Sequence, residues 1–124
     1  PMSDTLRILI AEDNPFFTDS VCTLLDMKGY TYQCVDNGEE ALSLITKFKP
    51  HVALLDIGIK GTDGLGVCAA IKSDPVMKET YVIIVSGRDA EKASAKAGCD
   101  QFILKPYAPA SFMQLLKSLE NKLL

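Results

Sequence analysis

Four places in this sequence carry five side chains able to do chemistry together, and each place closes a short apolar stretch. Glu12 and Asp13 follow Ile8–Ala11, Asp56 follows Val52–Leu55, Ser86 follows Val82–Val85, and Lys105-Pro106 follows Gln101–Leu104. Three carboxylates, a hydroxyl and an ammonium brought to one spot would repel strongly on the anionic side, so something cationic must share the space. Hard oxygen ligands with open positions suit Mg²⁺, which keeps several waters and takes a phosphate as partner. Taken alone, Glu12 and Asp13 could simply face the positive end of a following helix. Asp56 is harder to dismiss, because a lone acid closing a fully apolar strand calls for a partner. Whether the five positions meet depends on the elements that carry them.

Those elements alternate along the whole chain. Leu6–Ala11, Thr31–Val35, His51–Asp56, Tyr81–Ser86 and Gln101–Leu104 are short, apolar or β-branched, and bounded by turn residues, and they read as five strands. Several are continuous rather than alternating, as suits a parallel sheet covered on both faces. Between them lie helical patterns. Asn14 and Pro15 start the first, with Phe17, Val21, Leu24 and Leu25 on one face. Asn37 caps the second, with Glu40 three residues on, and Ala41, Leu44, Ile45 and Phe48 form its stripe. Asp63-Gly64 opens the third, carrying Leu65, Cys68 and Ile71. The fourth, from about Asp89 to Ala97, is short and Ala-rich and stops at Gly98. The fifth starts near Pro109 and buries Phe112, Leu115, Leu116 and Leu119, leaving Met113 and Leu124 as exposed apolar residues. Five β-α units in series predict an α/β fold with an open, doubly wound parallel sheet. In such sheets the functional crevice lies outside the carboxyl ends of the strands, where all five positions sit.

Composition narrows the classes further. A chain of 124 residues with 48% hydrophobic residues is long enough to bury a core as one domain. A net charge of −3 and the lack of a basic run argue against direct nucleic-acid binding. No apolar run is long enough to span a membrane and no signal pattern opens the chain, so a cytoplasmic protein is expected. Pro1 ahead of Met2 reads as a cloning remnant. Cys22, Cys34, Cys68 and Cys99 form no C-x-x-C pair, and three of them fall among apolar neighbours, as small core residues would. His51 opens a strand without companion ligands and reads as structural.

The motifs Ile10-Ala11-Glu12-Asp13-Asn14-Pro15, Leu54-Leu55-Asp56-Ile57, Thr62-Asp63-Gly64, Val85-Ser86-Gly87 and Leu104-Lys105-Pro106, in this order, resemble those of two-component response-regulator receiver domains over essentially the full length. The resemblance implies a flavodoxin-like sheet of order 2-1-3-4-5 with helices on both faces. It implies that Asp56 accepts a phosphoryl group from a sensor histidine kinase or phosphotransfer protein. Asp13, Asp56 and the backbone carbonyl of Gly58 would hold Mg²⁺, with Glu12 acting through water. Lys105 and Ser86 would engage the phosphate, Phe102 would turn inward as Ser86 moves, and the Lys105–Pro106 bond would be cis.

The chain departs from that pattern in several places. Lys60 stands where the family usually has proline, so a less rigid loop after Asp56 is expected. Gly58 and Arg88 flank the pocket where side chains tune water access, and Tyr81 replaces a common proline. The stretch from Ser86 to Lys105 is about three residues short, close to one helical turn, which predicts a shortened fourth helix on the family's usual output face. Two alternatives stay open: a docking receiver independent of phosphorylation, and an aspartate-nucleophile phosphatase. The second needs another acid two residues after the nucleophile, where this chain has Gly58. The output partner, and whether an effector domain belongs with the chain, are not legible in these residues.

Overall fold

The computed structural model describes residues 5–124, so Pro1 and the start at Met2 lie outside the described residues. The strands are β1 (Arg7–Ala11), β2 (Thr31–Val35), β3 (Val52–Asp56), β4 (Tyr81–Ser86) and β5 (Gln101–Leu104). All pair in parallel in the order β2-β1-β3-β4-β5. The helices between them are α1 (Pro15–Lys28), α2 (Gly38–Phe48), α3 (Gly64–Ser73), α4 (Glu91–Lys96) and α5 (Pro109–Leu123).

The continuous apolar strands divide their side chains by the period of two. Leu9, Ala11, Ala53, Leu55, Val82 and Ile84 face Ala41 and Ile45 of α2 and Val67, Cys68 and Ile71 of α3. Ile8, Ile10, Val52, Leu54, Ile83 and Val85 face Val21 and Leu25 of α1 and Phe112, Leu116 and Leu119 of α5. Each such large side chain contributes roughly 1.5–3 kcal/mol by leaving water, which makes this two-faced core the main stabilising element.

Local signals place the helix starts. The Asn14 side chain accepts from the N–H groups of Phe16 and Phe17, with Pro15 at the first helical position. Asn37 accepts from the Glu40 N–H at 2.9 Å and donates to the Glu40 carboxylate at 2.6 Å, and Asp63 accepts from Gly66. Helix α4 is short, as the sequence predicts, but at six residues it is shorter still than the expected Asp89 to Ala97, starting two residues later and ending one earlier. Asp89 folds onto the Glu91 N–H as a local turn and Ala90 takes the cap position without a side-chain bond. His51 is structural: its Nδ1 accepts from the Arg7 N–H at 2.9 Å.

Three expectations need correction. Met113 is buried, not exposed, because α5 settles onto α1 with both Phe112 and Met113 turned inward, a stripe wider than the minimal period. Leu124 does remain half exposed. Among the cysteines, only Cys68 is fully buried; Cys22 and Cys99 are half-buried and Cys34 is exposed on the edge strand β2. The loop after Asp56, with Lys60 in place of proline, is held rather than loose. The Gly38 N–H donates to the Lys60 carbonyl at 2.9 Å, and the Glu39 carboxylate takes both the N–H and the hydroxyl of Thr62. These bonds hold the Glu39 carboxyl below its ordinary value.

The clasp requires close approach of backbones. A Cβ at Gly38 would lie 1.8 Å from the Thr62 carbonyl oxygen, a contact that only backbone movement relieves. Gly38→Ala is therefore expected to destabilise the fold by about 1–3 kcal/mol in urea unfolding. Gly29→Ala, with open space but φ of 75°, should cost roughly 1 kcal/mol, through backbone conformation alone.

Candidate functional site

Because every strand is parallel, the residues that follow them emerge at one edge of the sheet. Glu12 and Asp13 leave β1, Asp56 ends the adjacent central strand β3, and Lys105 leaves β5 two strands farther on. Glu12, Asp13 and Asp56 each present a carboxylate oxygen, and these oxygens all lie within 4.8 Å of one another. The Lys105 ammonium reaches across β4 to Glu12 Oε1 at 2.9 Å and Asp56 Oδ2 at 3.4 Å. The Lys105–Pro106 bond preceding α5 is cis, as the resemblance implies.

The carboxylates differ in environment. Asp13 is exposed, Asp56 is half-buried, and Glu12 has a side chain only 2% exposed. Burial lifts the Glu12 carboxyl above its ordinary value. The hydrogen bond from Lys105 opposes that lift, Asp56 adds to it, and the Asn14 N–H on Oε2 at 3.1 Å opposes it again. For Lys105 burial favours the neutral amine, but the hydrogen bond and charge of Glu12, together with Asp56, win and raise its pKa. Asp56 Oδ1 accepts from the Gly58 N–H at 3.3 Å. Gly58 leaves open space where a side chain would sit.

Ser86 ends β4 buried, with its oxygen accepting from the Arg88 N–H at 3.1 Å, so it is turned into its own loop. Arg88 is exposed. Phe102 is half-buried on β5, packed against the α2–α3 side of the core rather than brought to the carboxylates. Two features of the site go beyond the sequence reading. One is the direct bond between Lys105 and Glu12. The other is Tyr107, which packs on Phe17 with ring centroids 5.0 Å apart and buries a hydroxyl that has no hydrogen-bond partner among the described residues. Its pKa is driven up by burial and by the negative charge of Glu12 and Asp56. The signal for it was its place two residues after Lys105.

The sequence model of the response regulator receiver domain matches residues 8–117. The chain belongs to this family. It is 29% identical over 119 residues to Protein PilG of Pseudomonas aeruginosa, a match covering 94% of this chain and 88% of PilG. It is 28% identical to the response regulator MprA of Mycolicibacterium vanbaalenii, covering 92% of this chain but half of MprA. Its fold superposes on the receiver domain of a signal transduction histidine kinase from Syntrophus aciditrophicus with a TM-score of 0.85, 27% identity, and coverage of 95% and 92% of the two chains. It is thus a receiver domain of two-component signalling, a signalling domain rather than a classical enzyme. Receiver domains of this family bind Mg²⁺ in an acidic pocket and interact with histidine kinases. No helix among the described residues is long and apolar enough to cross a membrane.

The raised Glu12 pKa has a defined consequence for stability. The native state binds the Glu12 proton more tightly than the unfolded chain, so the protein loses stability as pH rises from the ordinary carboxylate value of 4.5 through the raised native one. In metal-free buffer, Glu12→Gln should flatten this part of the stability–pH curve. Urea midpoints measured over a pH series that starts at the ordinary carboxylate value of 4.5 and rises from it would show it.

Proposed function

We propose that the chain, taken as one receiver unit over residues 1–124, accepts a phosphoryl group on Asp56 from a phosphohistidine of a sensor histidine kinase or phosphotransfer protein in the cytoplasm. Asp13, Asp56 and the Gly58 carbonyl would hold Mg²⁺, with Glu12 contributing through water. The observation that carries this reading is the set of three mutually close carboxylate oxygens with one ammonium among them. Such a set leaves excess negative charge that a hard divalent cation fits. When bound, the ion would neutralise phosphoryl oxygens and the attacking carboxylate together.

The protein's own groups have separate tasks. An Asp56 oxygen forms the new bond to phosphorus while the bond from phosphorus to the donor's imidazole nitrogen breaks, and that nitrogen keeps the electron pair. The Gly58 N–H holds Oδ1 in place, and Lys105, already 3.4 Å from Oδ2, meets the incoming negative charge. Lys105 must then share itself between the phosphoryl group and Glu12. Ser86 has a hydroxyl proton to offer; by donating it to the phosphoryl group and giving up the Arg88 N–H, it carries the start of the next loop toward the site. Phe102 can follow into the space left behind, giving a two-state element biased by a local charge.

Incubation with acetyl phosphate and Mg²⁺ should add one phosphoryl group, mapped to Asp56 by mass spectrometry after borohydride trapping. Asp56→Asn and chelation should each abolish it, and Lys105→Ala should slow it by about 100-fold. Persistent labelling of Asp56→Asn would overturn the assignment. Steady release of phosphate without a modified intermediate would favour a phosphatase, and absence of any reaction a docking receiver.

A further inference from the structure

On the flank away from β5, α1 lies against the edge strand β2, and this seam joins two side-chain pairs. The Tyr32 hydroxyl of β2 donates to the Asp26 carboxylate of α1 at 2.9 Å. About one helical turn earlier in α1, Cys22 meets Cys34 of β2, with the two Sγ atoms 3.0 Å apart. Both thiols are free, and Cys34 is exposed. Cys34 also lines a groove of about 420 Å³ that runs along α1 from Glu12 and Asp13, so small solutes reach it without unfolding. A cysteine kept for burial has no reason to sit there. Cys68, by contrast, is buried and donates to the Ala97 carbonyl under α4.

We propose that Cys22 and Cys34 form a thiol modification site, oxidised to an intramolecular disulfide by exchange with a low-molecular-weight disulfide. The sulfurs stand about 1 Å beyond the ~2.0 Å length of an S–S bond, a gap that rotation of two side chains on the protein's flank can close. One thiolate of the pair attacks a sulfur of the oxidant, forming a mixed disulfide and expelling one thiolate. The other cysteine then attacks the protein sulfur of that mixed disulfide and expels the second. The two protein thiols thereby lose two electrons and two protons, and the oxidant leaves as two reduced thiols. Proximity makes the second step intramolecular, so the mixed disulfide should not accumulate. Partial desolvation, then Cys22 and Asp26, hold the Cys34 thiol above its ordinary value, which slows the first step at neutral pH.

The site is independent of Asp56 chemistry, and its test does not involve phosphorylation. The folded chain is incubated with oxidised glutathione in mildly alkaline buffer, acid-quenched, and its free thiols are counted after denaturation. The count should fall from four to two, the intact mass should drop by two hydrogens, and peptide mapping should join Cys22 to Cys34. Dithiothreitol should restore all four. Cys34→Ser should yield no crosslink and Cys22→Ser should accumulate glutathione on Cys34, while Cys68→Ala should still crosslink. Four remaining thiols, a stable glutathione adduct on the unsubstituted chain, a bond between Cys68 and Cys99, or a crosslink between chains would each overturn the proposal.

Discussion

Three carboxylates occupy a space in which their oxygens lie within 4.8 Å of one another, and one ammonium stands among them. Such crowding opposes folding, so the chain must hold the site in place by means other than the site itself. The core does this. The strands that deliver Glu12, Asp13 and Asp56 are central in the sheet and buried on both faces, and their backbones cannot relax outward without opening the two apolar layers. Lys105 comes from the opposite edge strand and is separated from Glu12 by 93 residues. The ion pair therefore closes the carboxyl edge of the sheet across β3 and β4. Glu12 tolerates near-complete burial because Lys105 and the Asn14 N–H answer its two oxygens. Any ligand that draws Lys105 toward Asp56 weakens that answer. Charge at Asp56 is thus felt at Glu12 as well.

The loop after Asp56 shows how a local departure is offset by distant residues. Proline would stiffen this loop from within by fixing one backbone angle. Lys60 cannot, and the stiffness comes from α2 instead. Gly38 brings its backbone against the loop, Asn37 bridges to Lys60, and Glu39 binds Thr62 through two hydrogen bonds. The acidic first turn of α2, which in isolation looks like ordinary dipole compensation, also clamps the loop that follows the candidate phosphoacceptor.

The parts of this fold visible in the sequence are those governed by period and by neighbours in the chain. Val52–Leu55 and Val82–Val85 could hardly be anything but central strands, and Asn37 with Glu40 announces a helix start. Once the strands are parallel, the gathering of Glu12, Asp13, Asp56 and Lys105 follows from topology. What stayed hidden depends on how elements lie on one another. Met113 is buried because of the roll of α5 on α1, which no periodicity within α5 specifies. Cys34 is exposed because β2 is an edge strand, and it meets Cys22 because α1 crosses that edge at one particular height. The Glu39–Thr62 bonds span 23 residues and carry no local signature.

Helix α4 illustrates the same division and limits where motion can arise. Its Ala-rich sequence correctly signals little apolar burial, and Ser94 is its one fully buried residue. Packing of Ala97 and Cys99 against the core is not all that holds its far end, however. Asp100 accepts the Val82 N–H and pairs with Lys72 of α3 at 2.8 Å, and the Ala97 carbonyl accepts from Cys68. These ties anchor the exit of α4 to α3 and β4. The entrance has no equivalent, since Ala90 caps without a side-chain bond and Gly87, Arg88 and Asp89 are exposed. Gly87 also has open space around it. The entrance of α4, from Gly87 to Ala90, is therefore tied to the rest of the fold by fewer side-chain bonds than the stretch beyond Ala97. Leu104 of β5, the register partner of Ser86, lies half exposed on the same side as this loosely tied entrance.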